Sequence, residues 1–311
     1  MMYLLRITLA LLFLSLVSPV SAAAEGVSDP QFKAANIGDG ISLHYVEQGS
    51  GPTVIFVHGS LSDYSYWRGQ VAAFAGSYHV IAYSRRYNSP NVNPARPDYS
   101  AITDSDDLAA LIKTLHLGKV FVIGHSYGAL TALFLASRHP ELLRAMVLAE
   151  PPAMTLLDHL EGAEAAPGRA LFADVQKNMV EPMKQAFARG EREKGVAIFV
   201  DYVYRDPGKW ASFSTQDKAE TMKDAHEWDV MMTSGTLFPA ISPDAVRAIK
   251  TPTLLMSGGK SYQFLGMTDT ELALLLPNNK RIIFPDAGHQ MWLQHPAEAR
   301  ADAENFFALH P

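Results

Sequence analysis

Short apolar runs recur along this chain, separated by stretches in which apolar residues return every three or four positions. Thr53–Val57 (TVIFV), Tyr78–Tyr83 (YHVIAY), Lys119–Gly124 (KVFVIG) and Arg144–Glu150 (RAMVLAE) are continuous and rich in β-branched or aliphatic residues. A strand covered on both faces has this composition, whereas a strand with one wet face alternates. Between the runs, Tyr66–Phe74, Ile102–Leu115 and Ala129–Ser137 carry helical spacing; Leu108, Leu111, Ile112 and Leu115 are the clearest case. Alternation of buried strands with helices of ten to fifteen residues predicts crossover units and a mostly parallel sheet. Ahead of it, Phe32–Ile37 and Ile41–Val46 flank Gly38-Asp39-Gly40, a hairpin signal.

After Pro151-Pro152 the rhythm changes. Residues 153–246 hold helical stretches at Leu171–Arg189, Val196–Val203 and Thr215–Trp228, without a buried strand. Strand and helix alternate again at Thr251–Gly259, Lys280–His289 and a closing helix near Ala297–Leu309. The expected organisation is one sheet assembled from 25–150 and 249–311, with a helical cap spliced in at 151–248. Its Phe187, Phe199, Tyr202, Tyr204, Trp210, Phe213, Trp228, Met231 and Met232 either line a pocket or fasten the cap to the sheet.

Residues 1–24 follow a different plan. Arg6 precedes an apolar run from Ile7 to Val17, then come Pro19 and the small residues Ser21, Ala22, Ala23 and Ala24. That order predicts a secretory signal peptide cleaved after Ala22 or Ala24, hence an exported protein, periplasmic or extracellular, with no stable membrane span after cleavage.

Composition narrows the chemistry. The 311 residues carry 26 Lys plus Arg against 32 Asp plus Glu, a net charge of −6, which offers a phosphate backbone no electrostatic footprint. An apolar fraction of 48% argues for a packed core. With no cysteine, thiol nucleophiles, thiolate metal sites and disulfides are excluded. The chain has no HEXXH and no clustered His/Asp pattern, so neither metal nor cofactor is expected, and the predicted partner is a small-molecule substrate.

The sharpest local signal is Gly124-His125-Ser126-Tyr127-Gly128, between a buried strand and a helix. Glycines two positions either side of Ser126 relieve crowding in a tight strand-to-helix turn that lifts the hydroxyl above the sheet edge. A serine nucleophile needs a base, and His289 sits just past the last strand, in PDAGH. The base in turn needs an acid. The loop after Leu254–Met256 reads SGGKSYQF and holds no carboxylate, whereas Glu150 ends the strand Ala145–Ala149 directly; Asp269 and Asp286 stay as alternatives. His58-Gly59-Ser60 follows the strand Thr53–Val57, so the N–H groups of Ser60 and Tyr127 can pair as oxyanion donors, with His58 ordering the turn.

Together these motifs resemble the α/β-hydrolase superfamily over nearly the whole chain from Phe32 onward. The resemblance implies an eight-stranded, mostly parallel sheet flanked by helices, with an inserted all-helical cap. It implies Ser126 as nucleophile, His289 as base, and Ser60 and Tyr127 as oxyanion donors of an esterase-like serine hydrolase. In relatives whose acid follows the sixth strand, Glu150 takes that role. Peroxide-dependent halogenation, carbon–carbon bond hydrolysis and silent ligand binding are the other functions such a chain can carry. Two departures stand out: Gly258-Gly259-Lys260-Ser261 replaces the usual acid, and YSRRYNSP (Tyr83–Pro90) replaces an Asp-x-Arg-Gly-like turn. Arg85 and Arg86 there either brace the loop or meet an anionic substrate group.

Overall fold

The computed structural model describes residues 31–311. The leader reading of residues 1–24 lies outside the described residues. Eight strands form one sheet in the order β1-β2-β4-β3-β5-β6-β7-β8. β1 (Gln31–Gly38) and β2 (Ile41–Gln48) pair antiparallel across Asp39 and Gly40, both at positive φ, as the tightest hairpin turns require. β3 (Thr53–Val57) and β4 (His79–Tyr83) run parallel to each other, and β2 pairs antiparallel with β4. From β3 through β5 (Val120–His125), β6 (Leu143–Ala149), β7 (Thr253–Gly258) and β8 (Asn279–Phe284) every neighbour is parallel. All five residues of β3 and all six of β5 are buried, in keeping with their unbroken apolar runs.

The two faces of the sheet are covered by separate apolar layers. On one lie α1 (Arg68–Phe74) and the closing helices at the chain's end, with Trp67, Phe74, Trp292 and Phe307 in the layer. On the other lie α2 (Ala101–Thr114) and α3 (Tyr127–Arg138). Between β6 and β7 the chain is all helical: α4 (Ala165–Val175), α5 (Glu181–Ala188), α6 (Arg192–Tyr204), α7 (Thr215–Lys223), α8 (His226–Ser234) and α9 (Pro243–Ala248), with short 3-10 turns between some of them. A wider π turn at Gln176–Val180 joins α4 to α5, so the expected helix over Leu171–Arg189 is nearly continuous.

Two elements differ from expectation. The helix expected over Thr215–Trp228 breaks at Asp224-Ala225, where the Asp224 carboxylate accepts a hydrogen bond from the Ser89 N–H at 2.6 Å; that contact anchors the chain and turns it from α7 into α8. The second is α10 (Gln263–Leu275), a helix between β7 and β8 that the sequence reading did not identify. It buries Leu265, Leu272 and Leu275 and carries Asp269 inward. α11 (Met291–Gln294) and α12 (Pro296–Ala308) close the chain. Among the described residues, no helix is long and apolar enough to cross a membrane.

Candidate active site

Register brings the site together. Val57 pairs with Gly124, His125 with Ala149, and Ala149 with Met256, so the turns after β3, β5, β6 and β7 emerge side by side along one sheet edge. Parallel sheets collect their ligands along this edge.

Ser126 occupies the turn between β5 and α3 with φ 54° and ψ −122°, a conformation costly for any residue with a side chain. Its N–H donates to Ala149 O at 2.8 Å, and its carbonyl accepts from the Ala129 N–H at 2.9 Å. The two glycines are sterically obligatory. A Cβ on Gly124 would lie 2.5 Å from Gly128 O, and one on Gly128 would lie 2.2 Å from Val57 O. Tyr127 is the first residue of α3, so its N–H belongs to the group of helix-start donors that have no partner within the helix.

Glu150 stands immediately after β6, fully buried and at φ 52°. Its Oε1 accepts the Gly258 N–H at 2.7 Å; its Oε2 accepts the Ser261 hydroxyl at 2.7 Å and His289 Nδ1 at 2.5 Å. Thus the loop after β7, which has no carboxylate of its own, supplies donors to the carboxylate on the neighbouring strand. The sequence marks Gly258-Gly259-Lys260-Ser261 only as the stretch that lacks the usual acid; the donor roles of Gly258 and Ser261 toward Glu150 were not foreseen. With Nδ1–H donating to Glu150, His289 is left with Nε2 as its basic nitrogen.

The alternative acids are elsewhere. Asp269 is fully buried in α10, where the Ser257 hydroxyl donates to its Oδ2 at 2.6 Å; burial holds its carboxyl well above the usual carboxylate range. Asp286 is exposed and sits 3.3 Å from His295 Nε2. These side chains pair with Ser257 and His295 respectively, whereas the carboxylate bonded to His289 is that of Glu150.

Two further histidines brace the site. His125 is stacked on Tyr66 at 5.1 Å with rings 7° apart, and its Nε2 lies 2.9 Å from His289 O. Burial, reinforced by His289, lowers its pKa far below the usual histidine value, so this neutral ring donates to the backbone that carries His289. His58 is buried, with Nδ1–H donating to Gly59 O at 2.8 Å and Nε2 accepting the Arg85 N–H at 3.0 Å. Burial first, then Arg85, lower its pKa to about 3, so it orders the turn as a neutral tautomer. Gly59 leaves little room above Ser126: an added Cβ would lie 3.0 Å from the serine Cβ.

Arg85 and Arg86 prove to be internal braces. Arg85 is fully buried and bonds to Asp104 Oδ2 (2.7 Å), Glu227 Oε2 (2.5 Å) and the carbonyls of Gly59 (3.1 Å) and His58 (3.3 Å). Arg86 forms a two-pronged pair with Asp107 at 2.7 and 2.5 Å. Neither lines the cavity above Ser126.

That cavity has a volume of about 670 Å³ and is bounded below by Gly59, Ser60, Ser126, Tyr127 and His289. Its upper wall includes Phe199, Tyr204, Phe213 and Trp228 from the inserted helices. Phe187, Trp210, Met231 and Met232 instead pack within the apolar core, and Tyr202 lies half-buried against it with its hydroxyl donating to Asp174. A groove of about 740 Å³ lies apart, between His159–Glu164, α9 and α10, and contains none of the residues above. Among the described residues, no group of three or more His, Cys, Asp or Glu side chains is placed to hold a metal ion.

Sheet order, inserted helices and strand-end turns together define an α/β-hydrolase architecture. The chain belongs to that family: the model of the alpha/beta hydrolase fold matches residues 52–296. Among curated relatives, the uncharacterized hydrolase YraK of Bacillus subtilis is 31% identical over 156 residues, 50% of this chain and 56% of that protein. Epoxide hydrolase 3 of Mus musculus is 33% identical over 134 residues, 42% of this chain and 35% of that protein. The chain therefore spans about half the length, or less, of these relatives. A thermophilic esterase structure from Thermogutta terrifontis superposes with a TM-score of 0.68 at 19% identity, covering 91% of this chain and all of that one, which is a likeness of fold.

Proposed function

We propose that this chain is a serine hydrolase that cleaves a carboxylic ester, or a related acyl bond, of a small to medium, partly hydrophobic substrate. The observation that carries the reading is the Glu150–His289 hydrogen bond at 2.5 Å, with His289 lining the same cavity as Ser126. His289 Nε2 takes the Ser126 proton as the oxygen attacks the acyl carbon. Glu150 holds the imidazole in the required tautomer and offsets its charge. The N–H groups of Ser60 and Tyr127 receive the negative charge that develops on the carbonyl oxygen. His289 then protonates the leaving group, and the acyl group on Ser126 passes to a water activated by the same nitrogen. The helices of 151–248 act as a cap whose aromatic wall receives the apolar part of the substrate.

The epoxide hydrolase name among the relatives does not transfer. Attack by a serine oxygen on an epoxide carbon yields an ether, which has no acyl carbon for water to attack, so the cycle stops. The leader reading carries a proposal of its own: the mature chain starts at Ala23 or Glu25 and is exported, which amino-terminal sequencing of secreted protein checks.

The test is a panel of short and long p-nitrophenyl esters together with a fluorophosphonate probe. Wild-type protein should hydrolyse esters and be labelled at Ser126, and Ser126→Ala should lose both while keeping its melting temperature. Ester turnover by Ser126→Ala at the wild-type rate would overturn the assignment, as would steady turnover of an epoxide such as styrene oxide.

A further inference from the structure

Glu227, the second residue of α8, belongs to the inserted segment, yet its buried carboxylate reaches into the turn after β3. Its Oε1 accepts the Leu61 N–H at 2.9 Å, and its Oε2 accepts Arg85 Nη2 at 2.5 Å. Leu61 is held at φ 52°, a left-handed conformation that a leucine keeps only when its surroundings fix it. Arg85 in turn donates to Gly59 O at 3.1 Å and His58 O at 3.3 Å, while His58 Nδ1–H donates to Gly59 O at 2.8 Å. The backbone is therefore gripped on both sides of Ser60.

The grip on Gly59 O matters most. Gly59 C=O and Ser60 N–H belong to one planar peptide, so fixing the direction of the carbonyl fixes the direction of the N–H. Two donors on that oxygen also polarise the peptide, which strengthens its N–H as a donor. A 1 Å error in such a donor costs roughly a hundredfold in rate.

We propose that Glu227 is a positioning residue: through Arg85 and Leu61 it aims the Ser60 N–H at the oxyanion, so that seating of the cap and competence of the oxyanion hole are one event. This rests on the serine hydrolase reading above. A second tie between the inserted segment and the sheet domain, Lys223 Nζ to Asp63 Oδ2 at 2.6 Å, touches neither Gly59 O nor Leu61 N–H and serves as the comparison.

The experiment measures kcat, KM and inhibition by an alkyl boronic acid, a mimic of the tetrahedral intermediate, for wild type, Glu227→Gln, Glu227→Asp and Lys223→Met. Glu227→Gln should lower kcat roughly tenfold to a hundredfold with KM changed less than about threefold, because the donor acts on the transition state. Boronate affinity should fall by the same factor as kcat/KM. Glu227→Asp, too short to reach both partners, should show a smaller loss of the same kind, and it decides the matter if the Gln variant does not fold. Lys223→Met should change each quantity less than about twofold. Unaltered kcat in both Glu227 variants overturns the proposal, and so does a loss carried by KM or an equal loss in Lys223→Met. If wild type itself is neither labelled by fluorophosphonate nor inhibited by boronate, the hydrolase reading fails and takes this one with it; wild-type inhibition with insensitive Glu227 variants defeats this one alone.

Discussion

Just beyond β3, β5 and β6 the chain holds Leu61, Ser126 and Glu150 at positive φ, while the described inserted helices hold only one non-glycine residue there, Arg205 at the end of α6. Residues forced into such conformations cost of order 1–3 kcal/mol each and persist only where their surroundings fix them. In the sheet domain the surroundings are parallel ladders and buried hydrogen bonds: Ser126 N–H is tied to Ala149 O, and Glu150 N–H to Met256 O. In the insertion they are helix-on-helix contacts among apolar side chains such as Phe199 and Trp228, whose rings meet edge to face at 4.7 Å. The difference teaches a division of labour. Strand ends hold Ser126 and Glu150 to fixed geometry, and the helices shape the space above them.

The sharpest division is expected in turnover. Glu150→Gln keeps the acceptor for Gly258 N–H but loses the charge that fixes His289, and kcat should fall roughly 10³- to 10⁴-fold. Asp269→Asn, on α10 and bonded to Ser257 rather than to His289, should leave kcat within a few-fold. Steady-state kinetics on one p-nitrophenyl ester decide between them; the reverse order of effects would move the acid to Asp269.

Stability should divide differently, because the two regions meet at a buried charge. Among the described residues, Arg85 carries the only cation paired with Glu227 and Asp104, both fully buried. Arg85→Met leaves two carboxylates without a counter-charge, and a loss of about 3–5 kcal/mol is expected by urea denaturation. A variant within 1 kcal/mol of wild type would show that water reaches this seam.

Selectivity should respond to the cap. Phe213 and Phe199 line the upper wall of the cavity. Either residue changed to Ala should alter the ratio of kcat/KM between a butyrate and an octanoate ester by about tenfold, equivalent to about 1.4 kcal/mol of apolar contact, while acetate turnover changes little. Uniform loss across chain lengths would mean that the wall positions catalytic groups as well.

How far each part could be read in advance follows the same division. TVIFV coincides with β3 because a strand buried on both faces writes itself as a continuous apolar run. The Gly124 and Gly128 pair was equally plain as a motif around Ser126, although only Gly124 is demanded locally, by Gly128 O, whereas Gly128 is demanded by Val57 O from the neighbouring strand. Glu150 was reachable as the carboxylate that ends a strand, but its donors, Gly258 and Ser261, lie more than a hundred residues away and carry no local signature. α10 had a readable pattern in Leu265, Leu272 and Leu275, masked by the glycines and polar residues at its start. In the insertion, an aromatic residue packs equally well inward or toward a cavity, so Phe213 and Trp210 look alike in sequence although only Phe213 lines the cavity. The break between α7 and α8 depends on Asp224 meeting Ser89, a contact across 135 positions.

That break supplies the smallest expected effect and a pH dependence. Asp224 is 2% exposed, and its pKa rises to about 7 because burial disfavours the carboxylate; Asp63 and Glu227 add to the rise, while the Ser89 N–H and Lys223 oppose it. The folded-state value lies above that of the unfolded chain, so between about pH 4 and 7 the folded protein binds the extra proton. Stability from this group is therefore present at the acid end of that window and declines as pH rises through 7. Asp224→Asn keeps an oxygen acceptor for Ser89 N–H and never ionises. It should be more stable than wild type by about 1–2 kcal/mol at pH 8 and equal to it near pH 4, read from urea midpoints across pH. If the two proteins keep the same difference at both pH values, the Asp224 carboxylate is not the group that makes the α7–α8 seam sensitive to protons.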